Sequence, residues 1–392
     1  MSTNAQTAGR MPGPDSNLAP YLALAVGVVG LIISFFLALP VLTEGSGAMA
    51  MGSDMIWGLP VAGYAFLALA SMGVSFVACY ALITGAAGWE RLTPRLLALG
   101  LGLSVGALLV LFLELGNGLR ALWAIPTSFQ LGAPIVWMGI FWAVYMLLVI
   151  TALVRLQRVT MDDPATRRIA VGIVLTGVAA AITQGLAYGM FPFRPVWYGI
   201  GTPLYYLAGA LVSGIAFSLL AAQALRRYTD QPASQGEAGT RVLSHQLPLA
   251  LGVALIGYLF VTAGQLITGL WSPTAGVQEV YQAKMVSPLF WAGLLLGLVV
   301  PLVLMAAPSL RGQAWAQVLA GALAVVGLFI SRYEWTIGGQ LVPLFKGSWI
   351  PGFVEYTPNA VEWGIVLLGF FAALSLYAAG DRLFSSQPAP RR

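Results

Sequence analysis

Apolar runs of about 20 residues, the length that a helix needs to cross a bilayer, recur along the whole of this chain. Only 8% of its residues are charged, whereas soluble domains carry about 25%. The longest polar stretches are the first nineteen residues, a loop near 227–246 and the last dozen residues. We therefore expect an all-α integral membrane protein that has no room for a sizeable soluble domain.

Ten transmembrane spans are predicted from these runs. Their positions are 20–42, 56–84, 94–116, 134–155, 168–190, 201–225, 247–270, 287–307, 312–332 and 358–380. The first run is too long for the core of a signal peptide, so we interpret it as a retained span. Proline and glycine occur inside several spans, which packed membrane helices tolerate.

Basic residues divide unevenly between the two sides of these spans. If the N-terminus lies on side one, that side carries fourteen arginines and side two carries five basic residues. The five are Arg120, Arg194, Lys284, Arg332 and Lys346. Cytoplasmic loops hold the excess of Lys and Arg in membrane proteins, so both termini are predicted to be cytoplasmic.

The side-two loops are rich in aromatic residues, glycine and proline. Their six tryptophans are Trp57, Trp123, Trp197, Trp271, Trp335 and Trp349. An interfacial aromatic belt is normally two-sided, but only Trp89 and Trp315 lie near the other side. This excess predicts a structured outer surface that covers a site or docks a partner.

An internal repeat relates the two halves of the chain. The stretch WGLPVAGYAFLALASMG at 57–73 is echoed by YGIGTPLYYLAGALVSG at 198–214, and APIVWMG at 133–139 by SPLFWAG at 287–293. An offset of 141 places Gly58, Tyr64 and Gly73 on Gly199, Tyr205 and Gly214. A repeat of four spans preserves orientation, so it predicts two four-helix bundles, spans 2–5 and 6–9, with spans 1 and 10 at their flanks.

The predicted organisation follows from the repeat. It comprises a cytoplasmic tail (1–19), the first span with an outer loop (20–55), bundle one (56–190), bundle two (191–332), an outer loop with the last span (333–380) and a cytoplasmic tail (381–392).

Few ionisable residues fall inside the spans, and such residues are functional candidates by default. Glu362 begins span 10, where a carboxylate suits a helix N-terminus. Arg332 ends span 9, where it either snorkels to the interface or acts in a site. Glu114 lies one turn before the end of span 3, where burial and the negative end of the helix dipole both favour its protonated form. We expect Glu114 to exchange a proton, the alternative being a packed, hydrogen-bonded glutamate.

Residues for redox centres are missing from the sequence. There is one histidine, His245, and one cysteine, Cys79, so neither a bis-histidine haem nor an iron–sulfur cluster can be built. No metal-ligand constellation and no phosphate-binding loop motif occurs. We expect this chain to hold no haem, no iron–sulfur cluster and no metal of its own.

Five stretches in order resemble the NrfD/PsrC family of cofactor-free, quinone-interacting membrane subunits of bacterial respiratory complexes. They are WGLPVAGYAFLALASMG, LELGNGLRALW…GAPIVWMG, ITQGLAYGMFPFRPVWYGIGTPLYYLAGALVSG, VSPLFWAGLLLGLVVPLVLM and SRYEWTIGGQLVP…YTPNAVEWG. They run from span 2 to span 10 and so cover nearly the whole chain. The resemblance implies a location in the bacterial inner membrane.

The resemblance also implies a quinone or quinol site in bundle one, near the side where an iron–sulfur, ferredoxin-like subunit docks. The acidic residue of the family falls on Glu114. Where many members have an arginine, this sequence has Asn117, with Arg120 one turn later. A polar pair that some members have in span 5 falls on Thr183 and Gln184, and Thr183 departs from the family pattern. The expected quinone contacts are Glu114, Gln184, Tyr64, Trp57, Asn117 and Arg120.

The closing RYEWTIGGQLVPLFKGSW resembles the ten-span DsrP type of sulfur-metabolism complexes, which implies a c-type cytochrome, a molybdopterin protein or another catalytic protein as a further partner. A secondary transporter or channel and a plain membrane anchor are the alternatives. The parallel repeat and the lack of charge at mid-membrane depth disfavour transport, whereas an anchor predicts that changes at Glu114 and Gln184 are silent. Proton translocation stays open, because no clear proton path is visible.

Overall fold

A computed structural model describes residues 19–228, 239, 241–343 and 352–385 of the chain. Throughout these residues the regular structure is helical, and ten helices are long and apolar enough to cross a membrane. This confirms the predicted class. We number them α1 (Ala19–Ala38), α2 (Leu59–Thr84), α3 (Leu92–Glu114), α4 (Pro134–Leu156), α5 (Pro164–Gly189), α6 (Gly201–Tyr228), α7 (Leu247–Leu270), α8 (Pro288–Ala306), α9 (Ala314–Gly338) and α10 (Ala360–Ser385).

The helix contacts agree with two four-helix groups. In the first, α2 packs against α3 and α5, and α4 packs against α5; in the second, α6 packs against α7 and α9, and α8 packs against α9. The groups join where α2 meets α6, and the contacts of α5 with α6 and of α9 with α2 are equivalent. Helix α10 packs on α3 and carries α1 on its other side, so both flanking helices belong to bundle one.

The repeated tryptophans of α4 and α8 have the same local geometry. The Trp137 indole donates a hydrogen bond to the Leu131 carbonyl at 2.8 Å, and the Trp291 indole donates to the Met285 carbonyl at 2.8 Å. Each acceptor lies six residues before its donor, and each tryptophan follows the proline that begins its helix. The repeat that the sequence predicts is therefore also present in the structure.

Polar side chains at mid-depth in bundle one satisfy one another. The Ser71 and Ser104 hydroxyls are 2.9 Å apart, and Ser104 also accepts from the Trp142 indole at 3.1 Å. The Tyr145 hydroxyl donates to the Ser71 carbonyl at 2.8 Å and lies 2.7 Å from the Ser75 hydroxyl. Buried polar groups are stable when they are paired in this way, so this region is a packed interior.

Several helix ends differ from the predicted positions by a few residues, and two of these differences have clear physical reasons. Helix α5 begins at Pro164 because Asp163 caps it, accepting a hydrogen bond from the Thr166 backbone amide at 2.8 Å. Helix α9 continues six residues past Arg332 to Gly338, because its polar residues there pack against neighbouring helices. Arg332 therefore lies inside the helix and is 2% exposed, so it does not snorkel out of the protein.

Short helices occupy two of the loops between spans. They are Gly118–Thr127, between α3 and α4, and Val277–Met285, between α7 and α8. Within α8 the backbone is wound as a π-helix over Ala292–Val299. Pro301 follows directly and removes one backbone donor, so the widened turns lie where the regular hydrogen-bond ladder is interrupted.

Candidate functional site

We call one side of the bundles the aromatic face; it carries residues 45–58, 115–133, 190–200, 271–287 and 339–359, of which 344–351 lie outside the described residues. Arg194 ties its loops together and is 2% exposed. Its guanidinium donates to the carbonyls of Gln340 (3.3 Å), Val342 (3.1 Å) and Asp54 (3.3 Å). Burial lowers the pKa of Arg194, and the nearby Asp54 opposes this effect. Arg194, one of the five basic residues that the sequence places on side two, therefore has a structural role.

A second set of contacts joins the ends of α2 and α10. The Tyr356 hydroxyl accepts a hydrogen bond from the Leu59 backbone amide at 2.6 Å and donates to Glu362 at 2.8 Å. Glu362 also accepts from the Asn359 amide at 3.0 Å, while Asn359 Oδ1 accepts from the Glu362 amide at 3.0 Å. This reciprocal pair is a capping box, so Glu362 has the helix N-terminal role that its position suggests.

Trp57 lies at the centre of an aromatic cluster above bundle one. Its ring contacts those of Tyr188, Trp197 and Phe191, with centroid separations of 4.9, 5.2 and 5.7 Å. The Gln340 amide fixes the Trp57 backbone by accepting from its N–H at 3.0 Å and donating to its carbonyl at 2.7 Å. The cluster forms an apolar cover that keeps water from the polar groups beneath it.

Glu114 ends α3 at this face. Its side chain is partly exposed, and it makes no hydrogen bond or ion pair with any residue of the described ranges. Two residues later, Gly116 has a φ of +65° and packs against the backbone of Ser46. The chain therefore changes direction immediately after α3. Glu114 lies within electrostatic range of Tyr64 of α2.

Unpaired polar groups lie next to Tyr64. Tyr64, Tyr188 and Tyr206 are within electrostatic range of one another, and Tyr188 packs on Tyr206 with ring centroids 5.3 Å apart. One turn before Tyr188 on α5 lies Gln184, which is 1% exposed. Among the described residues, both amide atoms of Gln184 and the hydroxyls of Tyr188 and Tyr206 have no partner with hydrogen-bond geometry. Unpaired buried amides are rare, so Gln184 beside these mutually adjacent tyrosines marks a candidate binding site.

Arg332 extends this polar layer into bundle two. Its guanidinium lies over the rings of Tyr206 and Tyr205, at 3.9 and 4.7 Å from their centroids. One of its terminal nitrogens, Nη1, is buried without a hydrogen-bond partner in the part of the chain that the structure describes. Cation–π contacts of this kind stabilise a desolvated arginine. The polar layer therefore extends from Glu114, through the tyrosines, to the buried guanidinium of Arg332.

The structure brings four of the six predicted quinone contacts together. Trp57 packs against Tyr188, and Gln184 lies one turn before Tyr188 on α5. Tyr64 is within electrostatic range of both Tyr188 and Glu114. Asn117 lies in the turn after α3 and Arg120 in the first turn of the short helix Gly118–Thr127. Both are exposed, and in the described part of the chain neither makes a hydrogen bond or ion pair with Glu114.

The sequence analysis does not identify Tyr188 and Tyr206 and leaves the role of Arg332 open. One sequence signal was present, because Tyr205, beside Tyr206, is the repeat equivalent of Tyr64. Thr183 donates to the Ala179 carbonyl at 2.7 Å, so its hydroxyl is used within its own helix.

The chemistry of these groups suits a flat ring that carries an oxygen at each end. An amide and tyrosine hydroxyls can each donate to a carbonyl or accept from a hydroxyl, and a carboxylate without a counter-ion can take up a proton. Among the described residues, no group of three or more His, Cys, Asp or Glu side chains could hold a metal ion. The residues present fit an organic substrate better than a metal.

Comparison with known proteins identifies the family of this chain. A family model described as polysulphide reductase, NrfD, matches residues 47–343. The chain is 23% identical to a selenate reductase subunit of Mesobacillus selenatarsenatis, covering 90% of this chain and 91% of that protein. It is 21% identical to the Hdr-like menaquinol oxidoreductase integral membrane subunit of Archaeoglobus fulgidus, covering 94% of each. The menaquinone reductase integral membrane subunit of Nitratidesulfovibrio vulgaris is 27% identical over 49% of this chain and 47% of its own length.

Proposed function

The chain belongs to the NrfD polysulphide reductase family, and from that premise we propose that it is the quinone-reactive membrane subunit of a respiratory oxidoreductase complex. One relative, which matches most of the chain, is named as a menaquinol oxidoreductase integral membrane subunit. Another, which matches about half of the chain, is named as a menaquinone reductase integral membrane subunit. The observation that carries the proposal is Glu114, a carboxylate without a counter-ion among the described residues, which lies within electrostatic range of Tyr64 in the same bundle as the unpaired Gln184 amide.

In the proposed reaction a quinol ring binds beneath the Trp57 cluster. Its oxygens exchange hydrogen bonds with Gln184, Tyr64 and Tyr188, which gives the Gln184 amide the partners that it lacks. Oxidation of the quinol to the quinone releases two protons and two electrons. The Glu114 carboxylate accepts a proton and, because its side chain is partly exposed, passes it to solvent before accepting the next. The reverse sequence supplies protons for quinone reduction.

The electrons require a partner, because the sequence provides no ligands for a haem or an iron–sulfur cluster. We propose an iron–sulfur protein that docks on the aromatic face. Trp123 and Trp271 are both 75% exposed there, and exposed aromatic residues are enriched at protein interfaces. The distribution of basic residues supports an outward orientation of this face in a bacterial inner membrane, with both termini cytoplasmic.

The partner complex acts on a terminal substrate that we propose to be a sulfur compound. Support comes from the resemblance of residues 332–349 to DsrP-type proteins, which also favours a c-type cytochrome as a further partner. A relative that matches most of the chain is named as a subunit of a selenate reductase. Selenate is therefore the competing substrate. Growth of a deletion strain on each candidate acceptor separates the two.

Replacement of Glu114 tests the site. In the purified complex, Glu114→Gln should abolish quinol-linked electron transfer, lowering the rate by at least about a hundredfold, the usual size of a general acid–base contribution. Assembly with the iron–sulfur protein, followed by native gel electrophoresis, should be unchanged. Glu44→Gln is the matched control, since Glu44 is exposed on the same face and should retain full activity. Normal turnover of the Glu114→Gln complex would contradict the assignment.

A further inference from the structure

Bundle two has a cavity of its own at the aromatic face. Its volume is about 200 Å³, and it lies between α9, the start of α8 and the short helix Val277–Met285. The residues that give it chemical character are Tyr281, Lys284, Ser287, Tyr333, Glu334 and Trp335. A cavity of about 150 Å³ is enough to hold a benzene molecule, so this one has room for a slightly larger ring.

Two charged side chains in the cavity wall are only loosely paired. Lys284 Nζ and Glu334 Oε2 are 3.9 Å apart, and the side chains are 20% and 11% exposed. That distance is too long for a hydrogen bond, and neither side chain makes another one to a residue within the described ranges. Burial lowers the pKa of Lys284, although Glu334 acts in the opposite direction. A donor and an acceptor therefore face the cavity with hydrogen-bonding capacity unused.

The cavity lies where the repeat places the counterpart of the bundle-one site. Helix α9 has the contacts in bundle two that α5 has in bundle one. An offset of 150 places Gly177 and Gly189 of α5 on Gly327 and Gly339, and it places Gln184 on Glu334. The equivalence extends to α6, because Tyr205, the repeat equivalent of Tyr64, lies within electrostatic range of Glu334.

We propose that this cavity binds a second quinone or quinol ring, separate from the one at Glu114. The Lys284 ammonium donates to a ring oxygen, and a quinol hydroxyl donates to the Glu334 carboxylate, while Tyr281 and Trp335 pack against the ring. A cavity of this size holds the ring alone, and the isoprenoid tail extends into the membrane. A phospholipid phosphate is the competing occupant, but its negative charge would be repelled by Glu334. The identity of the ligand rests on the proposed function, whereas the cavity and its charges do not.

Binding stoichiometry tests this proposal. The full-length chain is reconstituted in nanodiscs of phosphatidylethanolamine and phosphatidylglycerol and titrated with 2-methyl-1,4-naphthoquinone, with bound quinone measured after separation. The unaltered chain should bind two equivalents. Ala283→Phe, which fills the cavity and keeps both charges, and Lys284→Met should each bind one equivalent, with affinity for the lost site reduced at least tenfold. Glu279→Gln, an exposed change on the same short helix, should still bind two.

The variants separate the two sites. Loss of one equivalent in Gln184→Leu, which removes a proposed contact to the ring at the first site, and of the other in Ala283→Phe supports both assignments. Two bound equivalents in a folded Ala283→Phe chain would overturn the second site. A phospholipid that copurifies with the unaltered chain, and that is lost in Ala283→Phe without a change in quinone binding, would overturn it as well. A chain that binds one equivalent, lost in Ala283→Phe but kept in Gln184→Leu, would support the second site and contradict the first.

Discussion

Gly73 of α2 and Gly214 of α6 meet backbone to backbone where the two bundles join. A Cβ atom placed on Gly73 would lie 2.9 Å from the Gly214 Cα atom, which is closer than packed carbon atoms approach. The two glycines are equivalent positions of the internal repeat. A position that touches its own equivalent lies on the axis relating the copies, as in a twofold dimer interface, so the bundles pack as a pseudo-dimer within one chain.

The first prediction concerns this contact. Gly73→Ala should destabilise the chain by about 1–3 kcal/mol, the usual cost of overpacking, because the new methyl group has no space between α2 and α6. Gly139→Ala is the matched control. Gly139 also lies in a spanning helix, but nothing approaches its Cβ position within 4 Å among the described residues, and alanine is the better helix former by up to about 1 kcal/mol. Thermal unfolding of both variants in detergent measures the difference; equal midpoints would contradict close packing at Gly73.

A second prediction concerns pH and the cap of α5. The Arg155 guanidinium, 2.7 Å from Asp163, and the hydrogen bonds from Thr166 lower the pKa of Asp163 to about 2. An unfolded aspartate titrates near about 3.9. The stabilisation is therefore fully present above pH about 4 and is lost as pH falls through about 2.

Asp163→Asn keeps a side-chain oxygen for the cap and removes only the charge. Its stability should fall below that of the unaltered chain at neutral pH and converge with it near pH 2. Chemical unfolding across this range measures the gap. A gap that stays constant with pH would show that the charge of Asp163 contributes nothing to stability.

The third prediction tests the hydroxyl that joins α2 to α10. Tyr356→Phe leaves the Leu59 amide and one oxygen of Glu362 without their hydrogen bonds, at a cost of about 1–3 kcal/mol. Tyr198→Phe is the control, since Tyr198 lies on the same face, is 61% exposed, and makes no hydrogen bond in the part of the chain that the structure describes. The thermal midpoint should fall for Tyr356→Phe alone. An unchanged midpoint in Tyr356→Phe would show that the hydrogen bonds of this hydroxyl do not stabilise the protein.

Sequence reasoning predicts the number, approximate positions and grouping of the helices, because hydropathy and the repeat depend on many residues at once. The end of α9 shows where this fails. Tyr333 and Glu334 have the polarity of an interface, so the predicted span stops at Arg332. In the structure both residues are only partly exposed and line the second cavity, with Lys284 close to Glu334. This environment depends on a helix from another part of the chain.

The candidate site is predicted less completely for a similar reason. Glu114 is visible in the sequence because a carboxylate at a helix C-terminus is unfavourable. Tyr188 and Tyr206 are not visible, because composition does not distinguish an aromatic core residue from one whose hydroxyl lacks a partner. Hydrogen-bond satisfaction is a property of the assembled helices and has no local sequence signal.

The last prediction uses this property to distinguish a binding role for Gln184 from a structural one. An unpaired buried amide costs about 1–3 kcal/mol, so Gln184→Leu should leave stability unchanged or raise it. The same variant should lower quinol turnover and raise the quinone KM, because the amide is proposed to bond the ring. Gln223→Leu is the matched control: Gln223 is also buried in a spanning helix, but its amide donates to Gln317. This control should lose stability and keep its quinone KM. Thermal midpoints and steady-state kinetics of both complexes decide the question, and a Gln184→Leu complex that loses stability while its KM is unchanged would make Gln184 a packing residue.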